Sequence, residues 1–318
     1  MILAGDIGGT NTRLAFFERG QRVGEEKKYP SPKYSGLEII VQEFLQGKKI
    51  ERACFGVAGP VRNGKSKVTN LSWNLDAAHI SRHLGIQKVA LLNDLEATAY
   101  GLRVLKKEEL FLLHAGEKQV GNQGLIAAGT GLGEAGLFWN GKEHVPFACE
   151  GGHTDFGPRN EKEIELFLYL LKKTGHVSYE RIVSGPGLVH LFHFLIDTGK
   201  EKWTPEVKEA MKKEDPARVI SGRGSQNQDK ACAHALDWFI SIYGAEAGNM
   251  ALKYLALGGF FVGGGIAPHL VEKMKTGKFH ASFVDKGRFQ ELLSSIPIWI
   301  VMNDNAGLLG AAYFAEKL

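Results

Sequence analysis

A repeat within the chain constrains its fold more than any other feature. Arg13-Leu-Ala-Phe-Phe-Glu-Arg-Gly20 and Glu134-Ala-Gly-Leu-Phe-Trp-Asn-Gly141 share one pattern, and each follows an apolar strand and a glycine-rich turn. A sequence that builds the same strand–turn–strand twice is expected to form two related α/β halves. In the first half, residues 1–6, 12–17 and 22–29 read as three consecutive strands, with Gly8, Gly9 and Gly20 at the turns. Ser35 and Glu38 have the spacing of a capping box, and Leu37, Ile40, Val41, Phe44 and Leu45 follow with helical period. A strand at 52–57, a helix at 76–84 stopped by Gly85, a strand at 89–92 and a helix from Leu95 complete the order βββαβαβα. Leu95, Ala99 and Leu102 are expected to face the core.

The second half starts with strands at 123–128 and 134–139. A long helix at 229–256 carries Leu236, Phe239, Ile240 and Tyr243 on one face, and strands follow at 260–262 and 296–302. Between them, residues 144–230 form an insertion. Its helix is expected to be capped by Asn160 with Glu163 and to bury Ile164, Phe167, Leu168 and Leu171.

Two glycine motifs are decoys. GPVRNGKS, residues 59–66, matches a phosphate-loop pattern, but Asn63-Gly64 and the Val68, Thr69 and Trp73 that follow favour a hairpin rather than the required helix. Lys65 then reads as a solvated turn lysine. GLGEAG, residues 131–136, matches a dinucleotide fingerprint but runs on as a strand toward another Asn-Gly.

The first glycine turn, GDIGGTNTR, is different, and two readings fit it. Gly8 and Gly9 let backbone amides approach an anion while Thr10, Asn11 and Arg13 add donors, as the phosphates of a nucleotide need. Asp6 would then hold Mg2+ through water, since a carboxylate beside a polyphosphate requires a cation between them. Alternatively the segment is a plain hairpin. In the second copy Ala127 takes the place of Asp6, so metal binding stays with the first.

Asn93 and Asp94 stand where the strand at 89–92 becomes a helix. In an open α/β sheet such a junction points side chains into the ligand crevice, and Asp94 there could serve as a general base. Asn93 and Glu96 also have capping-box spacing, so the pair could equally serve the helix.

The chain has 318 residues, 44% of them hydrophobic and 23% charged, enough for two domains of ordinary size. A net charge of +4 with no basic run interleaved with aromatics gives no indication of nucleic acid. No apolar run reaches a membrane-spanning length and the start lacks a basic leader, so a cytoplasmic protein without membrane partners is expected. Cys54, Cys149 and Cys232 lie far apart and read as buried thiols.

Taken together, LAGDIGGTNTRLA, LLNDLEATAYGL, AAGTGLGEAGL, EGGHTDFGP, YERIVSGPGLV, GGFFVGGGIAP and NDNAGLLGAA, in this order from residue 3 to 312, closely resemble the bacterial glucokinases of the hexokinase, actin and Hsp70 superfamily. The resemblance implies a duplicated ribonuclease H-like (actin-like ATPase) α/β fold with mixed sheets flanked by helices. It implies a small domain, 1–105 plus 297–318, with the catalytic base and first phosphate turn, a large domain, 106–296, and a cleft between them. It further implies ATP- and Mg2+-dependent phosphorylation of glucose on its primary hydroxyl, and a homodimer. Carried over by position, Asp94 matches the catalytic base and Asn93 its sugar-binding neighbour, with Glu150, His153 and Glu180 as further glucose ligands. Gly129, Thr130, Gly131 and Gly133 match the second phosphate turn, and Gly258, Gly259, Gly263, Gly264 and Gly265 the adenosine side. The run NDLEATAYGL departs from other members after the Asn-Asp, so the packing of that helix is expected to differ. The cysteines of the neighbouring zinc-containing sugar kinases are absent. The alternatives are a kinase of another hexose, such as mannose or glucosamine, and a non-catalytic sugar-sensing regulator. The latter needs a DNA-binding helix-turn-helix, for which no segment is evident.

Overall fold

The computed structural model describes all 318 residues. Contacts divide the chain into two units, one comprising Met1–Glu109, Val145–Ala148 and Asn303–Leu318, the other Leu110–His144 and Cys149–Met302. The first contains β1 (Ile2–Ile7), β2 (Asn11–Glu18), β3 (Gln21–Pro30), α1 (Leu37–Leu45), β4 (Arg52–Val57), β5 (Val61–Arg62), β6 (Lys65–Lys67), β7 (Asn74–Asp76), α2 (Ala77–Leu84), β8 (Lys88–Asn93) and α3 (Asp94–Gly101), with the C-terminal helix Ala306–Lys317. Its main sheet has the order β3-β2-β1-β4-β8, antiparallel across β3, β2 and β1 and parallel across β1, β4 and β8.

The period of two decides which side chain goes where. Leu3, Ile7, Leu14, Phe16 and Phe55 pack on one face with Leu37, Ile40 and Val41 of α1. Ile2, Ala4, Ala15, Phe17 and Cys54 pack on the other, with Ala97 of α3 and Leu308 and Ala311 of the C-terminal helix. The β5–β6 hairpin turns through Asn63 (φ 51°) and Gly64 (φ 69°), the left-handed pair that a two-residue hairpin needs. Lys65 is not merely solvated, because its ammonium lies 3.1 Å from Asp76, the N-cap of α2.

One expectation fails here, and a second holds only at Ala99. Gly36, not Ser35, is the N-cap of α1, and no side chain caps it. Ser35 lies one position outside the cap, beyond reach of the first amides. The buried residues of α3 are Ala97, Ala99 and Gly101, while Leu95 and Leu102 are half-buried. Small residues face inward because the C-terminal helix approaches too closely for leucine. A Cβ on Gly310 would overlap the carbonyl of Ala97, and one on Gly101 the carbonyl of Ala306.

The second unit contains β9 (Leu110–His114), β10 (Gln123–Ala128), β11 (Leu132–Trp139), the two end residues of β12 (His144–Cys149), α4 (Glu161–Thr174), α5 (Gly185–Asp197), α6 (Pro205–Ala210), α7 (Pro216–Ser225), α8 (Lys230–Tyr254), β13 (Gly259–Gly263), α9 (Val271–Met274), α10 (Lys278–Val284), α11 (Gln290–Ser294) and β14 (Ile298–Val301). The sheet order β12-β11-β10-β13-β14-β9 repeats that of the first unit and adds β9 at the edge. Leu236, Phe239, Ile240 and Tyr243 of α8 are fully buried in its core. The face expected for α4 holds only in part: Phe167 packs against the core, but Leu166 and Leu170 are the buried residues, and Ile164, Leu168 and Leu171 are exposed. The core side of α4 is fixed by Glu163, which is fully buried in a pair with Arg159 (2.5 Å). Cys54 and Cys232 are buried as expected, but Cys149 is only half-buried.

The two copies differ by one residue in register. Ile7 pairs with Thr12 around a four-residue turn, and Ala128 pairs with Leu132 around a three-residue turn. Gly133 therefore lies opposite Ala127 as Arg13 lies opposite Asp6, and Glu134 corresponds to the core residue Leu14 rather than to Arg13.

Candidate active site

Register gathers the candidate residues of the first unit. Ile7 pairs with Val57 and Val57 with Asn93 across the parallel strands, so the first glycine turn and the Asn93-Asp94 junction share the carboxyl edge of one sheet. Such an edge is where ligands bind in open α/β sheets. The turn is closed by Gly8 N–H donating to the Asn11 carbonyl (2.9 Å) and braced by Ser31, whose hydroxyl donates to the Gly8 carbonyl (2.8 Å). Thr10 is exposed. Burial pushes the half-buried Asp6 carboxyl upward and Arg13 opposes this. The Arg13 guanidinium is held by the Asn305 side chain (3.0 Å) and the Asp304 carbonyl (3.3 Å).

Asn93 is a helix cap and more. Its Oδ1 accepts from the amides of Leu95 (2.9 Å) and Glu96 (3.3 Å), and the Glu96 carboxylate returns a bond to the Asn93 amide, so the capping box forms. Nδ2 donates to the Gly59 carbonyl (3.2 Å), leaving its second hydrogen as a donor. Asp94 is half-buried in the first turn of α3, with Oδ1 accepting from Leu95 N–H (2.9 Å).

In the second unit, the turn after β10 is closed by Gly129 N–H donating to the Gly131 carbonyl (2.8 Å), and Thr130 is exposed. Gly185 N–H at the start of α5 donates to the Gly129 carbonyl (2.8 Å), so the thirteen-residue α5 presents its N-terminus beside the turn. That adds to the turn the partial positive charge that favours phosphate. Gly263 pairs with Ala127, so Gly263, Gly264 and Gly265 lie at this same edge. Gly258 and Gly259 do not. They lie at the other end of β13, where Gly259 pairs with Gln123, and serve packing: Gly258 meets the backbone of Gly121 and Gly259 the ring of Trp299.

The three carried-over sugar ligands of this unit come together on two short 3-10 turns, Gly151–His153 and Tyr179–Arg181. Glu150 is exposed and its carbonyl accepts from His153 N–H (3.1 Å). His153 Nε2 lies 3.9 Å from Glu180 Oε1, with the His153 side chain 61% exposed. The other Glu180 oxygen, Oε2, accepts from the Leu132 amide (3.0 Å), so one carboxylate joins the His153 turn to the end of the glycine turn. Exposed acceptors of this kind suit the paired donors of vicinal hydroxyls. Ser31, Gly59 and Ser184, which brace these turns, carry no signal in the sequence beyond being small.

No group of three or more His, Cys, Asp or Glu side chains is arranged to hold a metal ion, and no helix is long and apolar enough to cross a membrane. A half-buried carboxyl compensated only by Arg13, which is itself engaged elsewhere, does fit Mg2+, an ion commonly held by one carboxylate, waters and substrate phosphates.

The duplicated sheets with glycine turns at matching edges define an actin-like ATPase fold of the sugar-kinase class. Solved structures agree: a glucokinase from an Antarctic psychrotroph superposes with a TM-score of 0.84 at 29% identity, over 100% of this chain and 99% of that one. A ROK family glucokinase from Streptomyces griseus, solved with glucose and AMPPNP, shares the fold at a TM-score of 0.68 and 21% identity, covering 100% and 99% of the two chains. The Glucokinase family model matches residues 3–318. Curated glucokinases include one from Nostoc sp., 41% identical over 100% of this chain and 99% of its own, and one from Shigella dysenteriae, 36% identical over 97% and 95%. The chain belongs to the glucokinase family and is an enzyme of that family.

Proposed function

We propose that this chain transfers the terminal phosphoryl group of ATP to the primary hydroxyl of glucose, giving glucose 6-phosphate, with Asp94 as general base. The observation that carries the reading is the Ile7–Val57–Asn93 register, which sets a carboxylate and a phosphate-type turn on one sheet edge. Asp94 accepts the proton of the attacking hydroxyl, and the free Asn93 N–H orients the sugar. Glu150, His153 and Glu180 accept from and donate to its remaining hydroxyls. The amides of the turns at 8–11 and 129–131, with the α5 N-terminus, meet the charge that spreads over the phosphoryl oxygens. Asp6 would hold Mg2+ through water, and the ion would supply neutralisation of phosphate charge. Gly263, Gly264 and Gly265 are kept as the adenosine side, and Gly258 and Gly259 are dropped from it. The reading extends to a cytoplasmic address and a homodimer, the latter checked by sedimentation.

The test is coupled ADP release with ATP, Mg2+ and a panel of glucose, mannose, fructose, glucosamine and N-acetylglucosamine. Glucose is expected to turn over best, and Asp94→Ala to lose roughly 10²- to 10⁴-fold in kcat while still binding sugar. Faster turnover of another hexose would overturn the substrate, and an Asp94→Ala variant with near-normal kcat would overturn the base.

A further inference from the structure

Beneath the turn that carries His153 lie two carboxyls that this chemistry does not use. Glu134 on β11 is 2% exposed and Glu246 in the middle of α8 is fully buried, and Oε1 of each has no hydrogen-bond partner. Glu134 occupies the place that the core residue Leu14 has in the first unit, so nothing in the shared fold calls for an acid there. Its Oε2 packs directly on Gly151, where any Cβ would overlap it. The Cys149 thiol donates to the Glu134 carbonyl (3.4 Å), fixing the start of the same segment. Glu246 reaches the second sugar-binding turn: Asn249 Nδ2 donates both to Glu246 Oε2 (2.8 Å) and to the hydroxyl of Tyr179 (2.9 Å), the neighbour of Glu180.

Two buried carboxyls that feel each other's charge do not both ionise at low cost. Burial and the Glu246 charge push Glu134 up to about 8, with Lys253 pulling the other way. Burial likewise raises Glu246 against Asn249, Lys253, Tyr179 and Lys286. The other titratable groups facing the pair are Cys149, Tyr243 and Tyr254. Lys253 is the nearest cation that the structure pairs with either acid, at 3.9 Å from Glu246 Oε1.

We propose that Glu134, packed on the Gly151 backbone, is a positioning residue that holds the segment of Glu150 and His153 in its sugar-binding geometry. The proposal rests on the reading of those residues as sugar ligands. A neutral acid packs against the Gly151 backbone without needing solvent, whereas an ionised one draws water beneath the turn and displaces it. Glucose affinity therefore belongs to the protonated form.

The experiment is KM and kcat for glucose from pH 6.5 to 9.5 in the wild type, Glu134→Gln, Glu134→Leu and Glu246→Gln, with amide hydrogen exchange of residues 150–154 at pH 7. In the wild type KM rises by up to about tenfold per pH unit once Glu134 ionises, and kcat changes less. Glu134→Gln keeps the neutral-pH KM and removes the rise. Glu134→Leu raises KM at all pH values and speeds exchange of 150–154. Glu246→Gln moves the rise to lower pH, because the like charge is gone, and this decides the matter if the Glu134 variants do not fold. A wild-type KM that is flat over this range, a rise retained in Glu134→Gln, or no shift in Glu246→Gln overturns the proposal. If no sugar turns over in any protein while exchange responds as expected, the sugar-ligand reading fails and the positioning of the segment stands. If glucose turns over normally while exchange and pH profiles are unchanged, the positioning fails and the kinase reading stands.

Discussion

Glu180 shows how much one side chain decides. One of its oxygens faces His153 and the other takes the amide of Leu132, so truncation removes a proposed sugar acceptor and also releases the end of the glycine turn. Glu180→Gln keeps an acceptor for Leu132 but loses the charge toward His153. It is expected to raise KM for glucose about tenfold, the worth of one charge-assisted bond, with little change in thermal midpoint. Glu180→Ala is expected to raise KM further and also to lower the midpoint, as glucose titration and a thermal melt of each variant would show. Asp6 gives the parallel case for the metal. Its carboxyl is the only acid on the first turn, so Asp6→Asn should raise the Mg2+ concentration needed for half-maximal rate by roughly tenfold, one charge-assisted contact, while leaving glucose binding in the absence of nucleotide unchanged.

At the scale of elements, α3 and the C-terminal helix run so close that helix propensity gives the wrong sign. In an exposed helix, Gly→Ala stabilises by roughly 1 kcal/mol. At Gly310 the new methyl meets the carbonyl of Ala97, so Gly310→Ala is expected to destabilise by about 1–3 kcal/mol, measured by urea unfolding. Because α3 begins with Asp94, the same variant should also lower kcat more than it raises KM. The cap of α8 offers a gentler test. Asp229 accepts from the Cys232 amide (2.9 Å) and the Thr204 hydroxyl (2.8 Å), so Asp229→Ala should cost about 1 kcal/mol of stability without touching the glucose kinetics.

Across the whole molecule, buried acids set the response to pH. Burial and the Glu246 charge push Glu134 up to about 8, and burial raises Glu246 as well, so above the ordinary glutamate range the folded chain holds protons that the unfolded chain has released. That contribution is fully present below the ordinary glutamate range, and the share of Glu134 is lost as pH rises through about 8. The thermal midpoint should fall from pH 5.5 to 8.5, and it should fall less in the Glu134→Gln, Glu246→Gln double variant. A midpoint that rises with pH over this window in the wild type alone would contradict the account. Ligand acts on the same balance: glucose at a hundred times its Kd should add about 2.7 kcal/mol to the stability of the wild type.

What the amino-acid sequence determined by itself is what depends on neighbours in the chain. The strand–turn–strand repeat, the Asn63-Gly64 hairpin, the short helix stopped by Gly85, and the Asn93-Asp94 junction are all local patterns, and each formed where the residues indicated. Family resemblance then picked out Glu150, His153 and Glu180, which the structure brings together on two adjacent turns. What only the tertiary structure decided is what depends on partners far along the chain. The inward face of α3 follows from Gly310, some 210 residues away, and the buried face of α4 is anchored through Arg159, which holds Glu163 and donates to Ser241, 82 residues away. Gly258 and Gly263 look alike in sequence, and strand register alone separates a packing position from the phosphate edge. The buried acid at 134 was invisible for the same reason. A turn one residue shorter than its counterpart shifts the pairing, and with a side-chain period of two that single residue carries a carboxyl from the surface pattern into the core.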